Sequence, residues 1–359
     1  MAAASGSLEA VRSDGGQLFP EEQSMTSHRG PTQMNVFKGS TAIRDFLNPD
    51  NASPIPLVEL PDEFIPVRGE RVRIFAKLLY LLPLLNIKSL PALNMLLEAK
   101  AAKKLDGVHT LVEASSGNTA FSLAVLARLF DVPRTVAILP WDVAPGKLEM
   151  LRIAGVEPIL WREEANGLSG IAYARAMGRQ AGFFNAGQYE NDANPAAYER
   201  WIGPQIWSQT NGKMTVFASG LGTTGTLVGA GRYFRRCSEN IRLVGGICRP
   251  NEGVPGVRSL ARLREIQFDW KAIADAVIEV GAADSFKKSL QLCRAGLVAG
   301  PSSGFALGSL QQFLETSKAD SSLDQLRNAE GEIIAVFICG DTPFPYLDKY
   351  STHLGPSDF

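Results

Sequence analysis

The chain has 359 residues, 45% of them apolar and 20% charged, with a formal net charge of -1. That length exceeds what one small core organises and fits two α/β lobes. The near-zero charge, without a dense Lys/Arg block, argues against nucleic acid and anionic membrane surfaces as partners, and no apolar run is long enough to span a bilayer.

Residues 1–33 carry Gly, Ser, Glu and Gln with little that could form a core, and a flexible tail is expected there. The tail lacks the apolar middle of a secretory signal, and Glu9, Asp14, Glu21 and Glu22 do not suit a transit peptide. From Arg71 onward strands and helices alternate. Arg71–Leu78 reads as a strand, Pro91–Leu105 as an amphipathic helix, His109–Ser115 as a strand and Asn118–Phe130 as a helix. Strand Arg134–Pro140, helix Pro145–Gly155, strand Val156–Trp161, a helix from about Leu168 to Ala181 and strand Phe183–Ala186 follow. The second half repeats the pattern. Strand Met214–Ser219, helix Thr224–Arg236 and strand Arg242–Ile247 precede a less regular stretch, Cys248 to Trp270. Strand Ala276–Val280, helices Asp284–Gly296 and Ser303–Leu314, and strand Glu332–Cys339 complete the alternation, with a polar connection expected over Glu315–Gly331. Such alternation implies parallel sheets covered on both faces, hence two doubly wound α/β lobes. The expected division is 34–195 and 196–359, joined within Gly187–Pro204, with segments near 34–75 free to cross to the other lobe.

Cys237, Cys248, Cys293 and Cys339 show no paired short spacing, and with only three histidines no zinc pattern can be written, so no metal is expected. Few, scattered cysteines suit a reducing cytoplasm.

Doubly wound sheets bind ligands at the carboxyl ends of their strands, so the strand-to-helix turns carry the functional expectation. Ser115-Ser116-Gly117-Asn118-Thr119 offers hydroxyls and an amide at a helix N-terminus, suited to a carboxylate, although a plain capping turn would look alike. Ser219-Gly220-Leu221-Gly222-Thr223-Thr224-Gly225-Thr226 combines glycines for close backbone approach with threonine hydroxyls, and fits a small phosphate better than a nucleotide, since no P-loop lysine is present. Lys88 lies in the apolar stretch Leu84-Leu85-Asn86-Ile87-Lys88-Ser89-Leu90. A desolvated amine there suits Schiff-base chemistry, while a lysine snorkelling from a helix start is the plainer alternative. Gly300-Pro301-Ser302-Ser303-Gly304 opens a helix, and Cys339 ends the last strand before Gly340 and Asp341.

In content and order these turns resemble the cysteine synthase / cystathionine β-synthase family of fold-type II pyridoxal-phosphate (PLP) enzymes, which includes O-acetylserine sulfhydrylase. The similarity runs from about Pro56 to Leu347. Its most specific blocks are Gln188-Tyr189-Glu190-Asn191-Asp192-Ala193-Asn194-Pro195, Gly203-Pro204-Gln205-Ile206-Trp207 and Gly296-Leu297-Val298-Ala299-Gly300-Pro301-Ser302-Ser303-Gly304. The resemblance implies the tryptophan synthase β-like fold and PLP as cofactor. It implies that Lys88 carries the cofactor as a Schiff base and acts as general base, that Asn118 lies beside the cofactor's 3′ oxygen, and that Gly222, Thr223, Thr224, Gly225 and Thr226 cradle its phosphate. Ser115, Ser116, Thr119 and Gln188 are implied to hold the substrate carboxylate, and Cys339 to face the pyridine nitrogen. The implied reaction is β-replacement on serine or an O-activated serine-like amino acid through an aminoacrylate, with a small nucleophile as second substrate. Elimination or racemisation of a small amino acid is the alternative on the same scaffold, and a non-catalytic binding role a third. A homodimer is expected by analogy.

Several positions depart from the family pattern. The surround of Lys88 is apolar, Thr224 stands where glycine is usual, Gly253-Val254-Pro255-Gly256-Val257-Arg258-Ser259 replaces a glycine-rich segment, and Asp341–Pro345 lengthens a loop. These changes crowd the substrate side and point to a specialised biosynthetic enzyme. Arg258 is either a contact for an acidic substrate group or a surface loop residue.

Overall fold

A computed structural model describes residues 35–143 and 145–359. The expected tail, 1–33, lies outside the described residues. The chain separates into two units, Met1–Ile43 and Arg44–Phe359. Of the first, the described residues 35–41 are irregular backbone with bends and a turn, and residues 42–43 open the helix Ala42–Leu47. Everything that follows concerns the second.

Among the described residues ten strands form two sheets: β1 (Leu57–Glu59), β2 (Val72–Leu78), β3 (Thr110–Ala114), β4 (Arg134–Pro140), β5 (Val156–Trp161), β6 (Phe183–Asn185), β7 (Val216–Gly220), β8 (Arg242–Cys248), β9 (Ala276–Val280) and β10 (Ile333–Cys339). The four-stranded sheet runs β5-β4-β3-β6 and the six-stranded sheet β1-β2-β10-β7-β8-β9. All pairings are parallel except β1 with β2. β1 and β2 therefore join the sheet built otherwise from the second half of the chain, with β2 in register with β10 from Ile333↔Val72 to Cys339↔Leu78.

Parallel strands covered on both faces need apolar side chains throughout, and all seven residues of β10 are buried. Their alternation sorts them by face. Ile333, Ala335, Phe337 and Cys339 pack into one core with Leu307, Leu310 and Leu314 of the helix Pro301–Ala319. In the smaller sheet, Ala137 and Leu139 meet Ala120 and Ala124 of the helix Asn118–Ala127 on one side, and Val136 and Ile138 meet Ala174 of the helix Gly170–Met177 on the other.

The stretch expected to join the lobes is largely a helix, Ala193–Gln209, with Pro204 inside it. It is pressed against the helix Gly225–Cys237. A Cβ on Gly229 would lie 1.8 Å from Pro195 O, and one on Gly203 would lie 2.7 Å from Tyr233 Cβ. Only bare backbone permits this approach, and the contact fixes the turn that precedes Gly225. No helix among the described residues is long and apolar enough to cross a membrane.

Candidate active site

The carboxyl ends of β3, β7 and β10 open onto one pocket of about 450 Å³, lined by Lys88, Ser115, Ser116, Asn118, Thr119, Gln188, Gly222, Thr223, Thr226 and Asp341. Eight of the expected site residues are thus brought together around Lys88. The volume lies in the range of small-molecule sites.

Lys88 immediately precedes the helix Ser89–Ala101. Its backbone is held, not its amine. Lys88 N donates to Asn86 Oδ1 at 2.9 Å, Ser122 Oγ donates to the same oxygen at 3.1 Å, and Ile87 N donates to Gly340 O at 2.7 Å. Burial pushes the Lys88 amine down to about 8, and the charge of Asp341 partly opposes this.

The carboxylate turn is braced from below. Thr119 Oγ1 donates to Gln188 Oε1 at 2.8 Å, and Gln188 Nε2 donates to Ala114 O at 3.1 Å. Beneath them Glu113 accepts from Gly187 N at 2.9 Å, from Gln188 N at 3.3 Å and from Ala114 N at 3.0 Å. Burial nevertheless lifts the Glu113 carboxyl to about 7, outweighing these donors. Asn194 links this turn to the next, since its Nδ2 donates to Gln188 O at 2.7 Å and to Thr223 Oγ1 at 3.1 Å.

The glycine/threonine turn fits a phosphate. A Cβ on Gly222 would lie 2.1 Å from Gly256 O, so the backbone there stays bare. Ser219 Oγ, in the pocket lining, is buried without a hydrogen-bond partner, a costly state that an incoming acceptor or donor can relieve; Thr224 Oγ1, behind the lining, is also without one. Gly222, Thr223 and Thr226 line the pocket, whereas Thr224 and Gly225 sit behind it. Thr224 has φ +66°, left-handed backbone that disfavours a β-branched residue.

One expectation needs correction. Cys339 does not line the pocket. It is fully buried in the core with Phe337, while its neighbours Ile338, Gly340 and Asp341 reach the cavity. Strand alternation sets this, because residue 339 shares the parity of the core-facing 333, 335 and 337. Arg258 lines the pocket, but its guanidinium is engaged, 4.7 Å over the Tyr189 ring and 3.4 Å from Glu265 Oε2.

Asp341 was missed as a site residue. Its Oδ2 accepts from Asn118 Nδ2 at 2.7 Å and from Tyr346 OH at 2.6 Å, and its Oδ1 accepts from Ser302 Oγ at 3.4 Å. Burial raises the Asp341 carboxyl against the pull of these donors and of Lys88. The available signal was a polar residue just past the carboxyl end of a central strand. Tyr346 had no such signal. Glu113 had one, a lone acid inside an apolar strand.

Parallel sheets that meet at a pocket holding a desolvated lysine, a phosphate-ready turn and a carboxylate turn define a pyridoxal-phosphate enzyme of the fold-type II class. Residues 50–323 match the model of the family described as pyridoxal-phosphate dependent enzyme, and the chain belongs to that family. It is 31% identical over 258 residues to cysteine synthase B of Salmonella typhimurium, covering 71% of this chain and 80% of that protein. To cysteine synthase B of Escherichia coli it is 32% identical over 242 residues, covering 66% and 77%. Among solved structures, the O-acetylserine dependent cystathionine β-synthase of Helicobacter pylori superposes with a TM-score of 0.71 at 22% identity, covering 84% of this chain and 96% of that one. At that identity the likeness speaks for the fold. The chain is a PLP-dependent, cysteine synthase-like enzyme with a parallel α/β fold.

Proposed function

We propose that this enzyme carries out β-replacement on an O-activated serine-like amino acid, with Lys88 as cofactor-bearing lysine and proton carrier. The observation that carries the proposal is the buried Lys88 amine, held near neutrality at about 8 inside a pocket that has separate donor clusters for a carboxylate and a phosphate. Gly222, Thr223 and Thr226 would hold the cofactor's phosphate, Thr224 and Gly225 would shape the turn from behind, and Asn118 would face the ring's oxygen. When bound, pyridoxal phosphate supplies the electron sink that makes loss of an α-proton and of a β-substituent accessible.

The protein's own groups do the rest. Ser115, Ser116, Thr119 and Gln188 bind and orient the substrate carboxylate, presenting Cα to Lys88. The Lys88 amine, neutral in a substantial fraction near pH 8, takes the Cα proton and holds it. Asp341 stabilises the resulting ammonium at close range. Replacement, in which a small nucleophile joins the amino acid, is preferred here over simple elimination. Relatives that carry out cysteine synthesis support the same choice. We also propose a homodimer, checked by sedimentation.

The test is direct. The protein loaded with pyridoxal phosphate is reduced with borohydride, digested, and the cofactor mass located by mass spectrometry. It is then incubated with O-acetylserine with and without sulfide. Cofactor on Lys88 and cysteine formed only with sulfide support the proposal. Cofactor on another lysine, or pyruvate as the sole product in both incubations, overturns it.

A further inference from the structure

Two lysines in the pocket lining, Lys147 and Lys349, are left over when the proposed functions are assigned. Lys147 lies in the first turn of the helix Pro145–Ile153, after β4, and lines the pocket. Its ammonium stands 5.9 Å over the Tyr346 ring, within reach of a cation–π contact. Tyr346 in turn bonds Asp341, and Asp341 bonds Asn118. Among the described residues no carboxylate pairs with Lys147 and no acceptor takes a hydrogen bond from it. The charged groups that face it are Lys349, Asp341 and Asp348. Asp341 already accepts from three donors, and Asp348 lies 3.5 Å from Lys349. A second cation beside a half-buried, unpaired first one is unfavourable unless something negative arrives. Burial and Lys349 accordingly hold Lys147 below the ordinary lysine range.

We propose that Lys147 and Lys349 form an oxyanion subsite, so that one of the two substrates carries a phosphate or carboxylate group besides the amino acid's α-carboxylate. This rests on the β-replacement reading and narrows its substrate class. Lys147 follows a strand of the smaller sheet and Lys349 follows the last strand of the larger one. The two charges line the same pocket and lie within electrostatic reach of each other, so that one anionic group can engage both. The anionic group belongs either to the β-substituent of the donor amino acid or to the incoming nucleophile.

Two arms with the holoenzyme separate these sources, using wild type, Lys147→Met and Lys147→Arg. In the donor arm, O-phosphoserine and O-acetylserine are titrated against the cofactor's visible absorbance. In the acceptor arm, L-aspartate and sulfide compete as nucleophiles at fixed donor. In one arm Lys147→Met weakens the anionic partner by about tenfold, the loss expected for one charge-assisted contact. It shifts the neutral or small partner less than about twofold, and Lys147→Arg restores most of the loss. Equal shifts for both partners in both arms, or none, overturn the subsite. If no cofactor band forms at all, the β-replacement proposal fails instead. Calorimetric titration of inorganic phosphate then reads the subsite separately, and an isotherm unchanged by Lys147→Met overturns it.

Discussion

Asn118 donates its side-chain amide to Asp341 Oδ2 at 2.7 Å, tying the first turn of one sheet to the end of the last strand of the other. The same carboxylate oxygen takes the Tyr346 hydroxyl at 2.6 Å. The orientation of Asn118, and hence of whatever it faces in the pocket, is set by a charge that lies within electrostatic reach of Lys88.

Replacing Asp341 by Asn removes that charge with little change of shape. Asp341 raises the affinity of Lys88 for its proton, so the Lys88 midpoint should fall below about 8 in the variant. The pH dependence of cofactor condensation with the protein reports this directly. Asp341→Ala should also cost about 1–3 kcal/mol in urea unfolding, since Asn118 and Tyr346 lose a buried acceptor.

Lys88→Ala should leave the fold intact, because the interactions at this position are made by its backbone. It should abolish borohydride-fixed cofactor. A spectrum and a circular-dichroism melt, taken together, separate loss of the linkage from loss of structure.

Thr224→Gly should stabilise the protein by about 1 kcal/mol, by relieving a left-handed β-branched residue and removing a buried hydroxyl without a partner. Denaturant titration of the cofactor-free protein checks it.

Lys77 lies fully buried on β2, its ammonium donating to Ile55 O at 2.6 Å and to Gln205 Oε1 and Gln209 Oε1 at 2.8 Å each. Burial, with no carboxylate to offset it, lowers its pKa to about 7. Because the folded value lies below the unfolded one, the unfolded chain binds the proton more tightly. Stability should rise with pH from about 7 to 10.5, by up to about 1.4 kcal/mol per pH unit. Lys77→Met should flatten that slope. Glu113, whose folded pKa is raised, acts in a separate window, destabilising as pH climbs from 4.5 to about 7.

Much of this was legible in the chain. Arg134–Pro140, Val156–Trp161 and Ala276–Val280 are strands where apolar, β-branched runs between turns predict them, and the carboxylate and phosphate turns fall at strand ends as expected. What escaped has identifiable causes. The edge strand Leu57–Glu59 is three residues long, too short for a period to register. The helix Ala193–Gln209 runs through Pro204, a residue type that breaks a helical pattern in sequence. The resemblance places Cys339 at the pocket, yet alternation turns it inward, and Asp341 reaches the pocket because it lies past the end of the strand. Partners separated by hundreds of residues, such as Asn118 and Asp341, leave no local signature.

β10 occupies the middle of the larger sheet, between β2 and β7, although it is the last strand made. During synthesis the other strands of that sheet must wait with a gap at its centre, their inner edges unsatisfied. The pocket's Asp341 and Tyr346 arrive only when that gap is filled. Acquisition of the cofactor site is thereby tied to completion of the domain, and a nascent chain halted before Ile333 would present open strand edges to chaperones rather than a half-made enzyme.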